Sequence, residues 1–340
     1  MVTPLRQNME ASMANRLSCR RSLLLAVACA AFSSRALAQA APDSRVVKIL
    51  VGFPAGQATD TVARLLAERL RAATGDSYIV ENRPGQGGSL GLGQLAKAPA
   101  NGSVMMLAHM SAVATNPHVY QSVPYDSMKD FEAVGLVGDL PFVLVCNESL
   151  PFQNVESLIR YAKANPDRLT NASSGNGTVS HLAMEEFKRK EALRITHVPY
   201  KGSVAGLTDV IAGNVSMALE TAAAVRPHVE SGRLRALAVG SSQRLGGVLA
   251  VPTLAEQGFP EIKAVTWLML LYPAGTSTAT VRSTFAALRA TMGAPETVQK
   301  MLMAGLLPRV SSSPKEAANY LRSEFRSWGE IVRRSNLTRE

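Results

Sequence analysis

The stretch VVKILVGFPAGQATDTVARLLAERL, residues 46–70, predicts a strand, a loop and a helix in succession. Its first six residues are mostly apolar, and small residues dominate the loop that follows. Leu66 and Leu70 then recur at the spacing that places side chains on one face of a helix. We expect Thr59 and Asp60 to cap this helix just before it begins. The stretch is therefore typical of a strand-to-helix turn in an α/β protein.

The loop of this stretch has the features of a site for an anionic or carbonyl-bearing group. The first turn of a helix presents unpaired backbone N–H groups and the positive end of the helix dipole. Glycines such as Gly56 allow a ligand to approach the backbone closely. We therefore predict ligand binding here, and we expect a β-branched residue at Gly56 to weaken it by crowding the loop. An ordinary strand-to-helix turn without a ligand is the alternative.

A second stretch, residues 168–190, repeats the order of strand, small polar loop and helix. Its loop supplies hydroxyl, amide and exposed backbone groups from Ser173, Ser174, Gly175, Asn176, Gly177 and Thr178. Two such units predict two α/β lobes, each with its own loop-to-helix site. A cleft between lobes is a natural place to enclose a small ligand, and strands that cross between the lobes would act as a hinge.

Two other regions carry predictions about strands. Residues 132–147 contain two strand-like runs, with a crossover strand expected near Phe142. A further strand is expected over residues 215–219, ending at Glu220 and Thr221. Three helices are expected in the remainder, over residues 278–291, 295–304 and 314–333.

Length and composition exclude several classes of protein. A chain of 340 residues is long enough for two domains. Aromatic residues make up only 5%, which argues against stacking platforms for nucleic acid, and the net charge of +10 includes no block of like charge. Of three cysteines only Cys146 lies beyond the first forty residues, so no disulfide is expected in the mature chain. Its apolar surroundings predict a buried, inert thiol.

The first forty residues have the features of an export signal. Arg20 and Arg21 precede an apolar run over residues 22–32, and Ala36, Ala38 and Ala40 offer small-residue cleavage sites. The paired arginines resemble a twin-arginine signal. We therefore predict that residues 1–40 are removed and that the protein is periplasmic. No later stretch reaches transmembrane length without charges or proline.

The sequence provides no set of catalytic, metal-ligating or cofactor-binding residues. The pattern Gly-x-Ser-x-Gly is absent around Ser173 and Ser174. The glycines between residues 85 and 93 do not have dinucleotide-binding spacing, and the histidines lack metal-ligand spacing. We expect no enzyme activity, no cofactor and no metal. A secreted hydrolase of a small carboxylate or ester, and a receptor that signals to a sensor protein, are the alternatives.

An ordered set of motifs carries a family resemblance. VGFPAGQATDTVARLLAERL (51–70), VENRPGQGG (80–88), YDSMKDFEAVGLVG (125–138), SSGNGTVSHLAMEEFK (173–188), THVPYKGSVAGLTDVIAGNV (196–215) and VPTLAEQGFP (251–260) follow one another. Together they resemble the substrate-binding receptors of tripartite tricarboxylate transporters, also called Bug proteins, over essentially the whole mature chain. The resemblance implies a type II periplasmic binding protein, with two α/β lobes joined by crossover strands and a ligand cleft between them.

The same resemblance implies boundaries, partners and contacts. Lobe 1 would comprise residues 41–144 and 266–340, and lobe 2 residues 145–265. A small organic carboxylate would bind, the membrane components of the transporter would be transient partners, nucleic acid would not bind, and the chain would be a monomer. The ligand contacts implied in lobe 1 are Phe53, Ala55, Gln57, Thr59, Asp60, Ser111 and Ala112. Those implied in lobe 2 are Ser174, Gly175, Asn176, Thr178, His181, Tyr200, Lys201, Glu220 and Thr221.

Several of these residues have alternative roles or depart from the family pattern. Family members often have a glycine where Gln57 stands, and an Asp-Asn-like pair where Glu220 and Thr221 stand. Asp60 would repel an anion directly, so its expected role is to orient loop N–H groups or to bridge a water. The alternative to ligand contact is a structural role for His181 and a solvated loop position for Lys201. Glu220 would either recognise an amine on an amino-acid-like ligand or cap the end of a strand.

Overall fold

The opening stretch forms the predicted strand, loop and helix. In the computed structural model, which describes residues 45–245, 249–262 and 264–334, Val46–Val51 form strand β1 and Ala58–Thr74 form helix α1. Leu66 and Leu70 are fully buried in the same core cluster as alternate residues of β1. Burial of each such side chain stabilises the fold by about 1.5–3 kcal/mol. The export signal predicted for residues 1–40 lies outside the described residues.

The other elements alternate between strands and helices in the way that an α/β fold requires. The remaining strands are β2 (Ser77–Asn82), β3 (Val104–His109), β4 (Phe131–Asn147), β5 (Leu169–Ser173), β6 (Ile195–Pro199), β7 (Met217–Thr221), β8 (Leu234–Val239), β9 (Val265–Pro273) and β10 (Leu307–Pro308). The remaining helices are α2 (Ser89–Ala96), α3 (Asn116–Val119), α4 (Val155–Ala164), α5 (Val179–Glu191), α6 (Ser203–Ala212), α7 (Ala222–Glu230), α8 (Thr278–Gly293), α9 (Pro295–Met303) and α10 (Pro314–Arg334). Single helical turns span Gln86–Gly88 and Ser111–Thr115.

The strands form a mixed sheet in the order β2-β1-β3-β9-β4-β7-β5-β6, with β8 and β10 also paired to β4. Strands β1, β2 and β3 run parallel in one lobe, and β5, β6 and β7 run parallel in the other. Between them lie antiparallel β9 and β4. Residues 131–141 of β4 pair with β9, and residues 142–147 pair with β7 and β8. Strand β4 thus belongs to both lobes; the lobe boundaries at 144/145 and 265/266 stay predictions.

Strand β4 corrects the prediction of two separate runs in residues 132–147. It is one strand of 17 residues, Phe131–Asn147. The register against β9 shifts between Ala133 and Gly135 and again between Leu136 and Gly138. Such irregularities let a strand bend while its pairing continues. The glycines therefore accommodate bends and do not end the strand.

Two further differences follow β6. Strand β7 begins at Met217, two residues later than the predicted run, and it ends at Thr221, as expected. Helix α7 was not predicted, and it contains Pro227.

Cys146 is buried, as the sequence predicted, and burial raises the pKa of its thiol to about 12. In the described part of the chain, no helix is both long enough and apolar enough to cross a bilayer.

Candidate functional site

A small cavity lies where the two strand-to-helix loops meet. Its volume is about 30 Å³. The residues that line it are Phe53, Gln57, Ala58, Thr59, His109, Leu140, Phe142, Ser174, Thr178, Ser203, Glu220 and Thr221. Most of them lie at or just beyond the carboxyl ends of β1, β3, β5 and β7, where open α/β sheets bind their ligands.

The first wall is the loop after β1, and Asp60 holds it in place. Asp60 accepts hydrogen bonds at Oδ2 from the Gly56 backbone N–H and from Arg64 Nε, each at 2.9 Å. Its Oδ1 accepts from Asn82 Nδ2, which also donates to the Phe53 carbonyl, again at 2.9 Å. Burial acts to raise the pKa of Asp60, but these donors lower it below its ordinary value. Asp60 therefore orients a loop N–H group, that of Gly56, as expected.

One prediction about this wall was wrong, and so was the reason given for another; that a β-branched residue at Gly56 weakens binding stays a prediction. Thr59 and Asp60 do not precede the helix, because α1 begins at Ala58 and its N-cap residue is Gln57, which makes no side-chain cap bond. The Asp60 carboxylate, which was expected to cap the helix, instead accepts a hydrogen bond from the loop N–H of Gly56. Gly56 is not crowded, since a Cβ there would meet no atom within 4 Å. Its requirement for glycine comes from a φ of +82°, which L side chains rarely adopt.

The second wall is the loop between β5 and α5. The Thr178 hydroxyl donates to the Gly175 carbonyl at 2.6 Å, and the Gly177 N–H donates to His181 Nδ1 at 3.2 Å. The Ser174 N–H donates to the Ser180 hydroxyl at 3.0 Å. These bonds give the loop a definite shape before any ligand arrives. Thr115 Oγ1 of the other lobe also donates to the Gly177 carbonyl, at 2.8 Å.

Glu220 is the buried acid of the cavity. It is only 3% exposed, at the end of β7. Burial raises its pKa to about 7, although hydrogen bonds from the Ser174 hydroxyl, the backbone of Thr221 and Ser174, and the Ser180 hydroxyl oppose that effect. Within the described residues, no ion pair includes Glu220. The carboxyl group is therefore held near the point of half-protonation at neutral pH.

His109 lines the cavity and was missed by the sequence argument. It ends β3, and its Nδ1 accepts the Ser111 N–H at 3.1 Å, so the ring proton is assigned to Nε2. Burial lowers its pKa to about 3, which keeps the ring neutral. Its ring also packs at 4.8 Å from that of Phe53. The available signal was its position at the carboxyl end of a buried parallel strand.

His181 and His197 form a stacked pair behind the second loop. Their ring centroids are 3.9 Å apart and the rings are nearly parallel, at 6°. Burial lowers the pKa of each to about 4. With Glu185 they place three possible metal-ligating atoms within 4.8 Å of one another. Parallel stacked rings do not direct their lone pairs at one ion, and Lys188 Nζ already binds Glu185 Oε1 at 2.6 Å, so the arrangement is a poor metal site.

A serine–histidine contact also lies behind this loop. Ser173 Oγ and His197 Nε2 are 2.6 Å apart, a distance that nucleophilic catalysis requires. Ser173 is however only 1% exposed and is not part of the cavity lining. A substrate in the cavity would not reach its hydroxyl. The contact supports the loop and does not favour the hydrolase alternative.

The predicted contact residues divide into two groups. Those that line the cavity are Phe53, Gln57, Thr59, Ser174, Thr178, Glu220 and Thr221. Those that do not are Ala55, Asp60, Ser111, Ala112, Gly175, Asn176, His181, Tyr200 and Lys201. In the second group Ala55 and Lys201 are exposed, Ser111 and Ala112 are fully buried, and the Tyr200 hydroxyl donates to Asp209 at 2.5 Å. Contact of any of these residues with a solute stays a prediction.

Comparison with known proteins gives consistent results. The family model of the tripartite tricarboxylate transporter family receptor matches residues 62–337. Protein BugT of Bordetella pertussis is 34% identical over 291 residues, which are 85% of this chain and 89% of the relative.

Solved structures agree in fold. An R. palustris protein with adipate superposes with a TM-score of 0.83 at 32% identity, covering 88% of this chain and all of that one. The periplasmic binding protein BugD superposes with a TM-score of 0.80 at 28% identity and the same coverage. The predicted fold class, a two-lobed periplasmic binding protein, is confirmed.

Proposed function

The chain belongs to the tripartite tricarboxylate transporter receptor family, and on this basis we propose that it captures a small organic carboxylate between its two lobes in the periplasm. One observation carries the proposal: the first turn of α1 and the N-cap residue of α5 line a single cavity from opposite lobes. Each helix start brings N–H groups without intrahelical partners and the positive end of a dipole. The adipate bound to the R. palustris protein belongs to the same chemical class.

We assign the solute contacts to groups of three kinds. Backbone N–H groups at the starts of α1 and α5 would hold one carboxylate. The Thr59 hydroxyl and the Nε2–H of His109 would add side-chain donors, whereas the hydroxyl protons of Ser174 and Thr178 are already donated to Glu220 and to the Gly175 carbonyl. The Gly56 N–H is already bonded to Asp60, so it would shape the loop and not contact the solute.

The proposal also covers the partners, export and oligomeric state of the receptor and the fate of its solute. The membrane components of a tripartite transporter would be its transient partners. The chain would be exported by a signal in residues 1–40 and would act as a monomer, since both loops of the cavity come from one chain. It would leave its solute unchanged, as expected of a receptor and not of an enzyme. In a deletion strain, loss of uptake without loss of induction would separate transport from sensing.

The first test measures stabilisation and chemical fate together. The mature protein is melted with succinate, malate, citrate, adipate, glutamate or benzoate, and each acid is assayed after incubation. A true solute stabilises the fold by about 2.7 kcal/mol at a concentration about a hundred times Kd, and is recovered intact. Stabilisation by none of these acids would contradict the proposal, and consumption of one would favour the hydrolase.

A matched pair of variants locates the site. Thr59→Val removes a hydroxyl from the cavity and keeps the shape of the side chain. Thr278→Val makes the same change in the first turn of α8, where the threonine is exposed and away from the cavity. A hydrogen bond to a charged group contributes about 1.5–3 kcal/mol, so we expect Thr59→Val alone to weaken binding about tenfold or more. Equal affinity in both variants would place the solute elsewhere.

A further inference from the structure

Gln57 reaches from one lobe of the cleft to the other. It precedes α1 and makes no side-chain bond to that helix. Its amide lies against Gly202, where an added Cβ would be 2.2 Å from Nε2. The Gly202 N–H in turn donates to the Ser174 carbonyl at 3.1 Å. The side chain of Gln57 therefore rests on the backbone that supports the second wall of the cavity.

The same side chain lies at the boundary of two spaces. On its inner side is the cavity of about 30 Å³ that contains Glu220. On its outer side is a cleft of about 410 Å³, which includes the exposed side chains of Val204 and Met303. Gln57, Ala58 and Ser203 line both spaces. Ala58 and Ser203 are short, so Gln57 supplies the longest side chain of the shared wall.

Glycine at position 202 makes this wall depend on one residue. Gly202 has a φ of +108° and no side chain of its own, and the Gln57 amide occupies the space that a side chain there would take. We expect the inner cavity and the outer cleft to join along their shared wall once the Gln57 amide is removed. Shortening residue 57 is thus the change that lengthens the cavity most directly.

The inner cavity is small, so the position of this wall affects which solutes can bind. A water needs about 10–15 Å³ of such volume, so the inner cavity has room for about two waters and must enlarge to hold any dicarboxylate. A solute anchored at the two helix starts must place every additional methylene against Gln57 or move it. The outer cleft would accept a longer chain if the wall were absent.

We propose that Gln57 is a specificity-determining residue that limits the length of the bound solute, so that short α,ω-dicarboxylates are preferred over long ones. The proposal rests on the proposed function and adds the solute class to it. The bulk of the side chain does this, since the amide group touches the facing lobe without a hydrogen bond to its own helix. The preference is therefore expected to follow side-chain size at position 57.

The experiment is a calorimetric titration of the mature protein with malonate, succinate, glutarate, adipate and pimelate. The wild type is compared with Gln57→Ala and Gln57→Ser, which shorten the side chain, and with Gln57→Leu, which keeps its bulk. Serine is also a favoured residue before a helix, so the second short variant preserves the start of α1. Gln94→Ala, at an exposed position in α2, is the matched control.

We expect wild-type affinity to fall as the acid lengthens. Both short variants should raise the ratio of adipate to succinate affinity by at least about tenfold, the usual effect of one methylene in a pocket. Gln57→Leu and Gln94→Ala should keep the wild-type order.

Three results would overturn the inference and leave the receptor function standing. These are an unchanged length profile in the short variants, a wild type that already prefers adipate or pimelate, and a shift in Gln57→Leu equal to that in Gln57→Ala. The last would assign the selectivity to the amide and not to its bulk. If the wild type bound none of the acids, the proposed function would fail, and the inference with it.

Discussion

Glu220→Gln tests whether the cavity holds a carboxyl group in its neutral form. The substitution keeps the size of the side chain and removes its titration. In the folded protein the pKa of Glu220 is raised to about 7, against an ordinary value of 4.5 for an unburied group. Burial is the cause, and the surrounding hydroxyl and backbone donors offset only part of it. Both states of the carboxyl group should therefore be populated within the accessible pH range.

The sign of the effect follows from proton binding. Between pH 4.5 and pH 7 the folded protein holds the Glu220 proton more tightly than the unfolded chain does. The contribution of Glu220 to stability is therefore fully present below pH 4.5 and is lost as the pH rises to about 7. A pKa difference of about two to three units corresponds to about 3 kcal/mol, at 1.36 kcal/mol for each unit. This is an upper value, because a protein relaxes around a buried charge.

The assay is urea unfolding of the wild type and Glu220→Gln between pH 4.5 and 8, followed by tryptophan fluorescence. The buried histidines His109, His181 and His197 also titrate on unfolding, since their pKa values are lowered in the folded protein. Their contribution cancels in the difference between the two proteins. We expect that difference to shift in favour of Glu220→Gln by up to about 3 kcal/mol as the pH rises.

A control and a second readout accompany the measurement. Glu132→Gln, at an exposed position in β4, should parallel the wild type. Above pH 7 the wild-type affinity for succinate should also fall, by up to about tenfold for each pH unit, because an ionised Glu220 would repel the acid. A stability difference that does not change with pH would refute the argument that burial keeps Glu220 protonated.

Three other predictions concern the loops and the core. Asp60→Ala leaves the Gly56 N–H without its partner and should lower the free energy of unfolding by about 1–3 kcal/mol in urea titrations; an unchanged midpoint would mean that water replaces the carboxylate. Gly52→Ala places a Cβ 2.6 Å from the backbone of the facing loop and should cost about 1–3 kcal/mol by the same assay, whereas Gly293→Ala, with open space around it, should not destabilise; equal effects would contradict the steric reasoning. Cys146 should react with a thiol reagent only after unfolding, since it is fully buried and its thiol pKa is about 12; rapid labelling of the native protein would contradict this.

The local pattern of the sequence predicted most of the elements. Apolar runs and helical spacing placed β1, α1 and α5, because both depend on which side chains face a core close by in the chain. Prediction failed where a distant contact overrode the pattern. β4 continues through its glycines because β9 pairs with it along that length.

The sequence by itself determined the family, the α/β class and the two glycine- and hydroxyl-rich loops, since these are written in residue type and spacing. Only the tertiary structure decided what those residues do. Asp60 binds the Gly56 N–H instead of preceding a helix, His109 enters the cavity, and Gln57 crosses to Gly202. Glu220 acquires its raised pKa from burial at a position 46 residues along the chain from Ser174, its hydrogen-bond partner. Desolvation and contacts across the cleft come from residues far apart in the chain, so no local pattern specifies them.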